Sequence, residues 1–277
     1  SHLHPAAIHQ LAEIITSLTN TSQVIITTHN PLFVDRQSLK SNVIIDNGKA
    51  SPAETIKAIR EILGVKASDN LINANYVLVV EGENDALALR YLLPFLSEEL
   101  GKFLKNNLLV IEPIGGAGNL PYKLSHLNNT LCLYHVLLDN DDAGRHSYER
   151  AFQERLITDK NYTMLNCVGM SDSEFEDCLD PSVYKQKILD IYGVDVDLDS
   201  PKIKSRSKWS ERMKDVFKLQ GKLWNDRTGR TGTEHDLKRA VAECVAEKPE
   251  ASLNVHKRNS IDALVSALEA LISIEAR

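Results

Sequence analysis

The chain has 277 residues, 43% of them hydrophobic and 25% charged, with a formal net charge of −6. This size and balance suit one large α/β domain or two small ones and exclude disordered, collagen-like and coiled-coil classes. No apolar run approaches the roughly 20 residues of a membrane span.

The first five residues (Ser1 to Pro5) carry no basic and apolar leader pattern. The four cysteines, Cys132, Cys167, Cys178 and Cys244, form no CxxC pair. They read as reduced thiols of a cytoplasmic protein, neither a zinc site nor a disulfide frame.

In chain order, residues 3–19 place Leu3, Ala7, Ile8, Leu11, Ile14, Ile15 and Leu18 at helical spacing, with Pro5 in the first turn. The β-branched run Gln23 to His29 predicts a buried parallel strand. A second apolar run, Val43 to Ile45, ends at the turn Asp46-Asn47-Gly48-Lys49. Residues 53–63 read as a helix stopped by Gly64, and the polar, aperiodic stretch 65–75 marks a domain boundary.

Beyond it, strands are expected at Tyr76 to Val80, Leu108 to Ile111, Leu131 to Leu138 and Met164 to Val168. Helices are expected over 84–97 and 142–156, with a glycine-rich turn at Gly115 to Asn119. That alternation implies a parallel, helix-covered sheet. From Pro181 the pattern turns helical, over 181–191, 207–220, 233–247 and 260–275.

Charge is uneven along this plan. Between Lys202 and Arg239 there are 12 Lys+Arg against 5 Asp+Glu, a local +7 on an acidic chain. Such a segment suits a phosphate-binding face beside a carboxylate metal site. A solvated helix face would have the same composition.

Two expected strands end in acids. One runs into Glu81-Gly82-Glu83-Asn84-Asp85, the other into Asp139-Asn140-Asp141-Asp142. Ligands of open parallel sheets bind at the carboxyl ends of strands. Glu81, Asp139 and Asp141 can therefore converge on one hard cation, such as Mg²⁺, which takes oxygen ligands. Asp85, one helical turn beyond Glu81, reaches the same cavity. Asn84 and Asp142 read as helix caps. His126, His135 and His146 lack metal-ligand spacing, and His135 lies within an apolar strand, as a core residue would. Trp209 and Trp224 suit base stacking or, more simply, helix packing.

Val79-Val80-Glu81-Gly82 with Asp85, then a strand ending in Asp139-x-Asp141 followed by Ala143-Gly144, resembles the Toprim domain over about 74–180. Leu3-His4-Pro5, a helix and Val24-Ile25-Ile26-Thr27-Thr28-His29-Asn30-Pro31 resemble the tail of an ABC-type ATPase, with His29 at the position of its switch histidine. The two together resemble the OLD (overcoming lysogenisation defect) family nucleases, including those of anti-phage systems. The resemblance divides the chain into an ATPase remnant (1–64), a Toprim domain (74–180) and a helical, partly basic extension (181–277).

It implies a metal-dependent DNA endonuclease using two Mg²⁺ or Mn²⁺ ions held by Glu81, Asp85, Asp139, Asp141 and Glu176. Glu176 enters through Glu174-Phe175-Glu176-Asp177-Cys178-Leu179, which resembles the family's E-x-E-[ND]-x-L stretch; Glu174 and Asp177 are weaker matches. A catalytic lysine is implied near the last helix. Lys257 is the best positional match, and Lys248 and Lys238 compete with it. No G-x-x-x-x-G-K-[ST] loop is present. ATP is therefore expected only in a full-length protein, where a homodimer and a helicase partner are family expectations.

Two other readings stand beside this one. An aspartyl-nucleophile phosphohydrolase would use Asp139 and Asp141, but such pairs open their domain, whereas Glu81 and a whole strand-helix unit precede this one. A non-catalytic interaction module would tolerate loss of acids that are all present.

Overall fold

The computed structural model describes residues 14–15, 17–35, 38–46, 48–64, 74–197, 206–225 and 232–273, with Leu11 and Ser200 besides. The expected boundary at 65–75 falls almost wholly outside these residues. So do most of the first helix, of which Leu11, Ile14, Ile15, Ser17 and Leu18 are helical, and parts of the basic segment.

The expected strand at Gln23 to His29 is not formed. The segment pairs with no strand among the described residues, and Ile25 and Ile26 are exposed. β-branched residues favour a strand only where a neighbouring ladder and a covering layer exist. Next comes a hairpin of β1 (Val43–Asp46) and β2 (Lys49–Pro52), antiparallel. Gly48 supplies the positive φ of +76° that its tight turn requires. Helix α1 (Ile56–Leu63) is capped by the Thr55 hydroxyl and ends at Gly64 in the left-handed region.

The main sheet holds β3 (Tyr76–Val80), β4 (Leu109–Pro113), β5 (Leu133–Leu138) and β6 (Tyr162–Met164). All pairings are parallel, in the order β4-β3-β5-β6. β3 is buried on both faces because its alternate residues serve two cores. Tyr76, Leu78 and Val80 pack with α2 (Glu83–Leu96), α7 (Trp209–Leu219), α8 (Thr233–Glu247) and α9 (Asn259–Ile272). Val77 and Val79 pack with α4 (Leu120–Asn129) and α5 (Asp142–Gln153). Helices α3 (Glu98–Lys105) and α6 (Lys185–Tyr192) complete the described set of α-helices that follow the hairpin.

This is a mixed α/β fold with a parallel four-stranded sheet flanked by helices and a helical C-terminal part. The chain leaves β3 for β4 on one side and returns to β5 on the other. The carboxyl ends of β3 and β5 are thus the sheet's topological switch point. Among the described residues no helix is long and apolar enough to cross a membrane.

Candidate active site

Glu81 follows β3 and Asp139 follows β5, and the two neighbouring strands bring them together. Glu81 Oε1 accepts a 3.0 Å hydrogen bond from Asp139 N–H. Gly144, in the first turn of α5, permits this approach. A Cβ there would lie 2.1 Å from the Asp139 carbonyl oxygen and 3.1 Å from Glu81 Oε1.

The remaining acids are each fixed by backbone donors. Asp85 Oδ2 accepts from Gly82 N–H at 2.9 Å in the first turn of α2. Asp139 Oδ1 accepts from Phe175 N–H at 3.1 Å. Asp141 caps α5 through Gly144 N–H, 2.9 Å, so its role here includes the one the sequence assigned to Asp142. Phe175 begins the 3₁₀ turn Phe175–Cys178, whose acids Glu176 and Asp177 are buried, as is Glu174 at its N-cap.

Three cations of the basic segment turn inward. Lys208 Nζ pairs with Asp141 Oδ2 at 2.9 Å and with Glu174 Oε1 at 2.8 Å. Arg212 pairs with Asp177, which also accepts from Glu174 N–H and Trp209 N–H. Lys238, with a side chain only 17% exposed, lies 3.4 Å from Glu176 Oε2 and 3.8 Å from Glu174 Oε1. Part of the local +7 is therefore a counter-charge to the acids. Composition alone does not separate this from a solvated or phosphate-binding face.

The structure brings together Glu81, Asp85, Asp139, Asp141 and Glu176, and it adds Glu174, Lys208 and Lys238. It does not bring Lys257 to them. The Lys257 ammonium contacts the Met170 thioether at 3.5 Å, and Lys248 is exposed. Trp209 is fully buried and donates to the Tyr184 hydroxyl, and Trp224 packs edge-on against Phe217, so both serve packing. His135 is buried beside Thr163 Oγ1 at 2.8 Å, and burial lowers its pKa to about 4.

Electrostatics separate the acids into two sets. Burial raises Glu81 to about 7 and Glu176 to about 8, lifts Asp85, and lifts Asp139 well above its ordinary value. Burial also opposes charge on Asp141 and Glu174, but the lysines and backbone donors outweigh it and hold both low. Lys238 is penalised by burial as well, yet Glu176, Glu174, Asp139 and Asp85 keep its proton firmly bound.

Six carboxylates (Glu81, Asp85, Asp139, Asp141, Glu174, Glu176) thus face two ammonium groups (Lys208, Lys238). Glu176 Oε2 lies within ion-pair range of Lys238 but has no hydrogen bond. An all-oxygen donor set rich in carboxyl groups, with one carboxyl oxygen lacking a hydrogen bond, fits a hard divalent cation in chemistry. As the side chains stand, no three His, Cys, Asp or Glu among the described residues are gathered closely enough to hold one. The cation standing among the acids is the Lys238 ammonium.

Residues 1–35 match the family model described as "AAA domain, putative AbiEii toxin, Type IV TA system". The structure is similar to the C-terminal region of the Burkholderia pseudomallei OLD protein, at 15% identity and a TM-score of 0.37. That similarity covers 70% of this chain and 98% of the other. No curated protein matches the sequence.

Proposed function

We propose that this chain is the nuclease module of an OLD-like protein, hydrolysing DNA phosphodiesters with divalent cations held at the switch-point carboxylates. The observation that carries the reading is the clustering of Glu81, Asp85, Asp139 and Glu176, all with raised proton affinity, at the carboxyl ends of β3 and β5. Displacing the protons of the four raised acids would leave six carboxylates against two ammonium groups, a deficit that about two divalent cations offset. The match of residues 1–35 supports an ATPase tail at the N-terminus.

Mg²⁺ or Mn²⁺ held by Glu81, Asp85, Asp139 and Glu176 would supply Lewis acidity and a water of lowered pKa. The chain's own groups do the rest. Lys238, buried beside Glu176, is placed to neutralise charge developing on a scissile phosphate. Lys208 holds Asp141 and Glu174 ionised and oriented, and Asp139 is aimed by Phe175 N–H. An aspartyl-nucleophile phosphohydrolase is less well supported, because Asp141 is tied to the α5 N-terminus and to Lys208 and is not poised as a mobile acid.

The test is cleavage of supercoiled plasmid with Mg²⁺, Mn²⁺, Ca²⁺ or chelator. The expected result is nicking or linearisation with Mg²⁺ or Mn²⁺ that falls by about a hundredfold or more in Asp139→Ala. Plasmid left intact with every metal contradicts a self-sufficient nuclease.

A further inference from the structure

Cys167 and Cys178 form a sulfur pair that the proposed chemistry does not use. Their Sγ atoms are 3.7 Å apart, the one sulfur–sulfur contact among the described residues. Both are buried, but an open cleft of about 430 Å³ reaches Cys167 between β6 and α9, lined also by Met164, Asn166, Val168, Ser260 and Ala263. Cys178 has no such exposure, at 0%, and closes the turn that carries Glu176.

The two other cysteines lack this arrangement. Cys132 is fully buried and accepts from Arg60 at 2.9 Å, and Cys244 sits alone on α8. The Cys167 loop is anchored on both sides: Cys167 N–H donates to Ser173 Oγ, and Asn166 N–H donates to Ser260 Oγ. The pair is therefore held in register by the backbone.

We propose that Cys167 and Cys178 are a peroxide-reactive dithiol, with Cys167 the attacking thiol and Cys178 the resolving one, whose disulfide pulls on the turn bearing Glu176. In the first step the Cys167 sulfur attacks a hydroperoxide oxygen. An S–O bond forms and the O–O bond breaks. The leaving oxygen takes the thiol proton and departs as water or alcohol. Sulfur is oxidised by two electrons and the peroxide is reduced by two.

Cys178 then attacks the Cys167 sulfenic acid. The S–S bond forms, the S–O bond breaks, and hydroxide leaves with the Cys178 proton as water. The cleft is lined by Cys167 and not by Cys178, so a hydroperoxide meets Cys167 first.

Closing 3.7 Å to a bond of about 2.0 Å draws Cys178 toward Cys167. Glu176 lies two residues away, and Phe175 N–H holds Asp139, so both acids are displaced. The dithiol itself does not depend on the nuclease reading. Only its effect on activity rests on that reading.

The experiment treats the whole chain with hydrogen peroxide and maps its peptides by mass spectrometry. A Cys167–Cys178 cross-link, lighter by two hydrogens and reversed by dithiothreitol, should form about tenfold faster than oxidation at Cys132 or Cys244. In Cys178→Ser, dimedone should label Cys167 as a trapped sulfenic acid. Plasmid nicking should slow in the oxidised chain and recover on reduction.

Oxidation spread evenly over the four cysteines overturns the dithiol, and the wild-type map decides this even if a variant does not fold. Dimedone labelling of Cys178→Ser no higher than of wild type overturns the order of attack. Unchanged nicking in the cross-linked chain overturns the coupling to Glu176. A chain that cross-links but never nicks leaves the dithiol standing and fails the nuclease reading instead.

Discussion

Glu176 binds its proton more tightly in the folded chain than an exposed glutamate does, with a value of about 8, and Glu81 does so at about 7. A raised carboxylate stabilises the fold when protonated, and that contribution is lost as pH rises through the folded value. The metal-free chain should therefore lose thermal stability from about pH 5 to about pH 8, where these two groups have ionised in both states. Added Mn²⁺ should restore more of it at pH 9 than at pH 6, because it competes with protons for the same oxygens. A melting series at several pH values checks both signs.

Glu176→Gln removes a fully buried acid whose Oε2 has no hydrogen bond. It should raise the metal-free melting temperature at pH 8 by about 2–5 °C while lowering plasmid cleavage, as expected when a functional site is held against stability. Lys238→Met should cost about 3 kcal/mol or more in a denaturant titration, because it strands buried carboxylates. Lys257→Met should leave both stability and cleavage near wild type, since its ammonium contacts the Met170 thioether and makes no ion pair among the described residues. The pair of variants separates the lysine favoured by sequence position from the lysine favoured by geometry.

At the scale of elements, the site depends on one close approach. Gly144→Ala places a methyl group 2.1 Å from the Asp139 carbonyl, and backbone cannot yield there as a flexible side chain would. The roughly 1 kcal/mol that alanine gains in a helix does not offset this. The variant should lose about 2 kcal/mol or more by denaturation and lose plasmid cleavage.

Elements buried on two faces were legible from sequence. Tyr76–Val80 reads directly as an apolar run, and so does the acid at its end. Elements defined by partners were not. Lys49–Pro52 is exposed throughout, with no apolar run to mark it as a strand, although Asn47-Gly48 signals its hairpin. Leu120–Asn129 hides its helix behind Pro121 and a glycine turn. Met164 to Val168 has strand composition, but the ladder ends at Met164, and Gly169 turns the chain at φ +82°. Lys208, Arg212 and Lys238 look like surface charge until packing brings α7 and α8 against the turn at Phe175–Cys178.

For the molecule as a whole, the order β4-β3-β5-β6 fixes where chemistry can occur. The acids of β3 and β5 meet only because the chain reverses direction across the sheet between them. The basic segment then spends at least Lys208, Arg212 and Lys238 on neutralising that centre, so fewer cations remain to grip a phosphate backbone. The salt dependence of DNA binding should accordingly be shallower than the segment's +7 suggests, readable as the slope of log affinity against log salt.

Divalent cations held by the switch-point carboxylates are the premise of the proposed chemistry. Calorimetric titration of Mn²⁺ into the whole chain at pH 8, beside Asp139→Asn and Glu176→Gln, tests it most directly. About two ions should bind per wild-type chain, with proton release, and binding should weaken in both variants. Absence of Mn²⁺ binding at millimolar concentration would contradict it and leave the acids as a buried network neutralised by Lys238, Lys208 and retained protons.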